Sequence, residues 1–82
     1  MNVIVYAKPG CPQCVQTKHE MDRLGIPYAT VDLAADPAQR ARLIEAGWRS
    51  APVVETDGDA WSGYRPEKIR GLARAPLAAG VA

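Results

Sequence analysis

Cys11 and Cys14 are the only cysteines of the chain, and Pro12 and Gln13 separate them. Two thiols at this spacing, placed at the start of a helix, can form a small and reversible disulfide. The thiolate is the reactive species; a helix start favours negative charge on Cys11, and Lys8 adds a positive charge nearby. We therefore predict that Cys11 is the attacking nucleophile and that Cys14, one turn inside the helix and less exposed, is the resolving thiol.

The two residues between the cysteines are expected to adjust this chemistry. Pro12 lacks an N–H that would otherwise be able to bond the Cys11 sulfur, so we group it with Lys8 as a residue that tunes the thiolate. Gln13 is polar and is expected to point outward, where a partner would dock.

Two other interpretations of the cysteine pair remain open. A single Cys-x-x-Cys is half of a zinc site, and the chain would have to supply two more ligands. His19 is the only histidine, and it lies off the helix face that carries Cys14, so we expect it to be solvated and expect no metal site. Inert, buried thiols are the other interpretation, which the Gly-Cys-Pro-x-Cys context at a strand–helix junction disfavours.

Length and charge limit the class of protein. We expect one domain spanning 1–82 and a monomer, and the formal net charge of +1 gives no general case for nucleic acid or a membrane surface as partner. The first residues lack a basic segment and a cleavage site, and no run is long enough to span a bilayer. We therefore expect a cytoplasmic protein, in which a close cysteine pair is catalytic or metal-binding rather than structural.

Hydrophobic patterning and turn residues predict the element order β-α-β-α-β-β-α. The predicted elements are strands over 3–6, 27–33, 52–56 and 59–61, and helices that begin at Cys11, after Asp36 and at Pro66. In the first helix we expect Val15, Lys18 (by its stem) and Leu24 or Met21 to share one apolar side. A parallel β-α-β start and a terminal β-hairpin imply an α/β fold with a four-stranded mixed sheet flanked by three helices.

The opening strand, Lys8-Pro9, the Cys-Pro-x-Cys motif and the helix together resemble the thioredoxin fold, in particular its glutaredoxin-sized members. Ala51-Pro52 before a strand is a second point of similarity. In that fold a cis-proline lies against the active-site disulfide, and the residue before it offers backbone hydrogen bonds to an incoming chain. The resemblance implies these roles for Pro52 and Ala51.

The segment Trp61-Ser62-Gly63-Tyr64-Arg65-Pro66 resembles the W-S-G-[FY]-R-P segment of the NrdH-redoxins. Glutathione-using glutaredoxins carry an acidic pair here that holds the glutathione amine, and this chain has Arg65 instead. The resemblance implies poor glutathione binding, no bound cofactor, reduction by thioredoxin reductase with NADPH, and the class Ib ribonucleotide reductase large subunit as oxidised partner. Pro12 departs from the Val or Met that is common in this family and matches ordinary glutaredoxins, so a glutathione-dependent glutaredoxin remains the alternative.

Residues near this segment are candidates for partner binding. Trp61 and Tyr64 form an apolar docking surface in one interpretation; in the other, Trp61 is a core residue and only Tyr64 is exposed. Trp48 borders the site or packs against the core. The final helix is basic, and its charges either steer an acidic partner or are simply solvated; they are Arg65, Lys68, Arg70 and Arg74. Glu67 is expected to pair with Arg70.

Overall fold

The structure is a computed structural model that describes the backbone of residues 2–81 and the side chains of residues 2–73. Its elements have the predicted order. They are β1 (Ile4–Ala7), α1 (Pro12–Arg23), β2 (Ala29–Asp32), α2 (Pro37–Glu45), β3 (Val53–Glu55), β4 (Ala60–Ser62) and α3 (Pro66–Val81).

The four strands form one mixed sheet in the order β2-β1-β3-β4. β1 runs parallel to β2, and α1 is the crossover that a parallel pair requires. β3 is antiparallel to both β1 and β4. The turn of the β3–β4 hairpin is closed by Thr56, whose N–H donates to the carbonyl of Asp59 at 2.8 Å.

Local capping signals begin the first two helices where the sequence indicates. Cys11 is the N-cap of α1, with Pro12 in the first helical turn. Asp36 is the N-cap of α2, and its Oδ1 accepts a hydrogen bond from the Gln39 N–H at 3.2 Å. Proline is tolerated in the first turn because its missing N–H would have no partner inside the helix.

The side of α1 that faces the core is only partly the predicted one, since Met21 is buried but Val15 is not. Val15 is 66% exposed, whereas Thr17, Glu20 and Met21 are buried. Glu20 is accommodated there because Arg23 binds its carboxylate at 2.6 Å and Arg70 of α3 lies 3.8 Å from it. The buried side of α1 therefore carries an ion pair to α3. The pattern of apolar residues did not predict this pair.

Apolar residues pack on both faces of the sheet because successive strand residues point to opposite sides. Val5 and Val54 belong to the larger core cluster, together with Met21 of α1 and Ile69 of α3. On the other face, Tyr6, Val53 and Leu43 of α2 form a smaller cluster. The predicted placement of helices on both faces is therefore confirmed.

Candidate active site

The two cysteines form a disulfide at the N-terminal end of α1, with their Cα atoms 5.2 Å apart. The Cys11 sulfur also accepts a hydrogen bond from the Cys14 N–H at 3.2 Å, so it lies among the free N–H groups of the first helical turn. Cys11 is 8% exposed and Cys14 is 2% exposed. Cys14 is therefore the less exposed of the two residues, as the sequence predicts, and Pro12 and Gln13 between them are exposed.

Ala51 lies beside this disulfide, and Pro52 is the next residue along the chain. The peptide bond that joins them is cis, as the resemblance implies. The carbonyl oxygen of Ala51 lies 3.7 Å from the Cys11 sulfur. In the dithiol state, the Cys11 S–H would therefore have the Ala51 carbonyl as a nearby acceptor.

The loop between β4 and α3 completes the site through two backbone hydrogen bonds. The Gly63 N–H donates to the carbonyl of Pro52 at 2.8 Å. The Tyr64 N–H donates to the side-chain Oε1 of Gln13 at 3.2 Å. The structure thus brings together the three segments that the sequence singles out, namely the Cys-x-x-Cys motif, the cis-proline and the segment Trp61–Pro66.

This arrangement requires glycine at position 63 for two reasons, its backbone conformation and its lack of a side chain. Its φ is +85°, in the left-handed region that disfavours other residues. A Cβ atom at this position would lie 3.2 Å from Oε1 of Gln13. Ser62, beside it, bonds across to Ser50: its hydroxyl lies 3.2 Å from the Ser50 hydroxyl and 3.3 Å from the Ser50 carbonyl.

Trp61 lies in the core, which agrees with the second of its two interpretations and not with its placement on a docking surface. Trp61 is the cross-strand partner of Val54, and only 3% of the residue is exposed. Lys68 of α3 covers the ring, with its Nζ 5.4 Å from the centroid. Tyr64 is half-buried and packs against the same core cluster, so of the two aromatic residues it alone reaches the surface.

The charges of the loop and of α3 pair differently from the prediction. Glu67 binds Arg65, with Nε and Oε2 2.7 Å apart, so the expected pair with Arg70 is wrong. Arg70 turns instead toward Glu20 of α1. Lys68 binds Asp59 at 2.9 Å, and this hydrogen bond, with the Ala60 N–H, holds the pKa of Asp59 below its usual range. The side chain of Arg74 lies outside the described residues.

The remaining predicted residues are placed as follows. Lys8 is exposed at the end of β1 and lines a groove that also contains Ala51 and Trp48. Trp48 is half-buried and packs on the smaller core cluster, so it both supports the core and borders the site. His19 is exposed. Across the described part of the chain, no three His, Cys, Asp or Glu side chains are grouped so as to hold a metal ion.

The sequence did not indicate one partly buried polar cluster that joins α2 to the sheet. The Tyr6 hydroxyl donates to Glu55 at 2.9 Å and accepts from Arg42 of α2 at 2.9 Å. Burial raises the pKa of Glu55, but hydrogen bonds from Arg42 and Tyr6 lower it by more, so that it lies below its ordinary value. This cluster fixes α2 to the sheet, and no local signal reveals it because its members lie on three separate elements.

Comparisons with known proteins agree with this geometry. A family model described as Glutaredoxin matches residues 3–61. The glutaredoxin-like protein NrdH of Escherichia coli K12 is 34% identical over 79 residues, which is 96% of this chain and 98% of that protein. NrdH of Lactococcus lactis subsp. cremoris is 35% identical over 71 residues, covering 87% of this chain and 99% of that protein. Among solved structures, the NrdH-redoxin of Escherichia coli superposes with a TM-score of 0.86 at 32% identity, covering 88% of this chain and 95% of that one.

The chain therefore belongs to the glutaredoxin family of thiol-disulfide oxidoreductases, and its fold is thioredoxin-like, as the sequence predicts. Within that family, the likeness over nearly the whole chain is to the NrdH group. The Cys11–Cys14 pair is the candidate reactive centre of this oxidoreductase. No helix in the described residues has the length and apolar character needed to cross a membrane.

Proposed function

We propose that the protein is a dithiol electron carrier that thioredoxin reductase reduces with NADPH and that in turn reduces the large subunit of a class Ib ribonucleotide reductase. The observation that carries this proposal is the loop after β4, in which Arg65 replaces an acidic residue and the Tyr64 N–H is already bonded to Gln13. The NrdH-redoxin of Escherichia coli, similar to this chain in sequence and structure, is described as having a thioredoxin-like activity profile.

The proposed reaction is two successive thiol–disulfide exchanges. The Cys11 thiolate attacks one sulfur of the partner's disulfide, so that a mixed disulfide forms and the partner's second sulfur leaves and takes up a proton. The Cys14 thiolate then attacks the Cys11 sulfur and releases the first partner sulfur as a thiol. Two electrons pass to the partner, and the Cys11–Cys14 disulfide remains.

The surroundings support these two roles. Cys11 is the N-cap of α1, where the helix dipole and the Cys14 N–H stabilise a thiolate. Pro12 adds no N–H to this end of the helix. Lys8 lines the groove that also contains Ala51, whose carbonyl lies 3.7 Å from the Cys11 sulfur. NADPH is used only through the reductase, and we propose the cytoplasm as the setting because the cycle requires a reducing compartment.

A glutathione-dependent glutaredoxin is the second candidate, and Pro12 between the cysteines favours it. The β4–α3 loop argues against it in two ways. The loop has no pair of acidic residues to bind the glutathione amine, since Arg65 is followed by Pro66 and only Glu67 is acidic. That single carboxylate is already paired with Arg65.

The test compares two reducing systems. The reduction of insulin disulfides is followed by NADPH oxidation with thioredoxin reductase, and separately with glutathione plus glutathione reductase. We expect turnover with thioredoxin reductase and little with glutathione; the reverse ratio would make the protein a glutathione-dependent glutaredoxin. Cys14→Ser is the companion variant, since it should trap a mixed disulfide between Cys11 and the ribonucleotide reductase subunit, whereas Cys11→Ser should trap none.

A further inference from the structure

A groove of about 570 Å³ opens between α2 and the loop that leads to the cis-proline. It reaches the candidate reactive centre, since Ala51 lines it and the Ala51 carbonyl lies 3.7 Å from the Cys11 sulfur. Lys8 lines it as well. The groove therefore lies within reach of a chain segment that flanks a disulfide bound at Cys11, and it has the volume of an ordinary ligand site.

The groove concentrates positive charge. Lys8, Arg40 and Arg49 line it, and no Asp or Glu does. All three are exposed. The ion pairs of the described residues use other cations, so these three charges are not neutralised by side chains of residues 2–73. A local excess of three positive charges is large for a chain whose formal net charge is only +1.

Apolar side chains also line the groove. Trp48 and Leu33 are half-buried in its wall, and Ile44 of α2 is 56% exposed, one of two large apolar residues so exposed among the described residues. Three cations carried on separate elements suit several carboxylates along an extended chain better than one compact anion. The apolar lining adds a place for an aliphatic side chain between those charges.

We propose that this groove, which we call the basic groove, binds an acidic segment of a disulfide-bearing protein substrate, with carboxylates against Arg40, Arg49 and Lys8 and an aliphatic side chain against Trp48 and Ile44. The inference rests on the proposed function, since it identifies which disulfide substrates the carrier prefers. It follows that substrate choice depends on the residues that flank the substrate's cysteines, and that this preference weakens as salt screens the charges.

The probes are two synthetic peptides that share one intramolecular disulfide. One is flanked by glutamates and a leucine, and the other by lysines and a leucine. kcat/KM is measured for each with thioredoxin reductase and NADPH at low and at physiological ionic strength. We expect the wild type to prefer the acidic peptide by about three- to tenfold at low salt, the scale of a few exposed charge pairs.

Charge-reversal variants locate the effect. Arg40→Glu and Arg49→Glu should each remove about threefold of the preference, because each reverses one exposed charge in the groove. Lys18→Glu is the matched control: it makes the same charge change on α1, where Lys18 does not line the groove. An equal loss in Lys18→Glu, or equal use of both peptides by the wild type, would overturn the proposal.

A binding measurement separates this proposal from the proposed function. Fluorescein-labelled peptides with serine in place of cysteine are titrated by anisotropy, which needs no turnover. If no peptide is reduced but the acidic one still binds through Arg40 and Arg49, the proposed reducing system is wrong and the basic groove stands. If insulin is reduced normally but the acidic peptide binds no better than the basic one, the basic groove is wrong and the proposed function stands.

Discussion

Replacing Gly63 by alanine tests how the three segments of the site are joined. Gly63 adopts a φ of +85°, and its N–H is bonded to the carbonyl of Pro52 at 2.8 Å. An added Cβ would meet Oε1 of Gln13 at 3.2 Å. The substitution therefore strains the backbone and pushes away the side chain that accepts the Tyr64 N–H.

The size of the effect follows from these two contributions. A residue other than glycine in the left-handed region costs about 1–2 kcal/mol. The Gln13–Tyr64 hydrogen bond is solvent-exposed, so its loss adds about 0.5 kcal/mol, the low end for such bonds. For a domain of this size, each 1 kcal/mol lowers the melting temperature by about 4–8 °C. We expect Gly63→Ala to melt roughly 6–20 °C below the wild type.

Thermal and urea unfolding, followed by circular dichroism, measure this, and two further glycines serve as controls. Gly10 has a φ of +70° with nothing within 4 Å of its missing Cβ, so Gly10→Ala should show the backbone strain alone. Gly71 lies inside α3, also in open space, so Gly71→Ala should stabilise the protein by about 0.5–1 kcal/mol. A Gly63→Ala variant as stable as the wild type, or a Gly71→Ala variant destabilised as much, would refute the reasoning.

Three further substitutions have expected outcomes. Gln13→Met frees the Tyr64 N–H for a carboxylate and should raise glutathione-dependent turnover roughly threefold or more, whereas exposed Gln16→Met should not. The pKa of Glu55 lies below its ordinary value of 4.5, so the ionised carboxylate stabilises the fold above that pH, and this contribution is lost as the pH falls through the folded pKa. Glu55→Gln should therefore lower the melting temperature at pH 7. It should also make the melting temperature decline less steeply toward pH 3. Thr17→Val should raise the free energy of unfolding.

The order of elements and the starts of helices were predictable because their signals are local. The N-cap Asp36 and the proline after it act on the N–H groups of the next turn, and the same holds for Cys11 and Pro12. The strand order does not depend on local signals. It follows from the connections between strands, namely the parallel β-α-β unit at the start and the hairpin at the end of the sheet. The cis bond before Pro52 was reached through family resemblance rather than through any local preference.

The site was predictable as a set of segments but not as a set of contacts. The sequence singles out Gln13 and Tyr64, yet nothing in it says that they bond to each other across 51 positions of the chain. The same applies to the pairing of Glu67, where Arg65 and Arg70 are both within reach along the chain. Glu67 pairs with Arg65 because Arg70 lies instead beside Glu20, an acidic residue on another helix.

The sequence did not predict the basic groove, for a related reason. Lys8, Arg40 and Arg49 lie on three separate stretches of the chain, and the overall charge of +1 conceals their grouping. The basic residues that the sequence did group, Arg65 before α3 and Lys68 and Arg70 within it, are paired with acidic partners in the structure. Charge available for a partner is thus determined by tertiary placement and not by the number of basic residues in one helix.

The Thr17 prediction also tests tertiary placement, because Thr17 lies on the side of α1 that faces the core. Thr17 is completely buried, and its hydroxyl has no hydrogen-bond partner among the described residues. A buried hydroxyl without a partner costs about 1–3 kcal/mol, and valine has nearly the same shape, so Thr17→Val should stabilise the protein by about 1 kcal/mol. Thr30→Val on the exposed surface of β2 is the matched control and should change stability by less than about 0.5 kcal/mol. Urea unfolding measures both, and a loss of stability in Thr17→Val would mean that the hydroxyl is bonded in the folded protein and that this account of the α1 face is wrong.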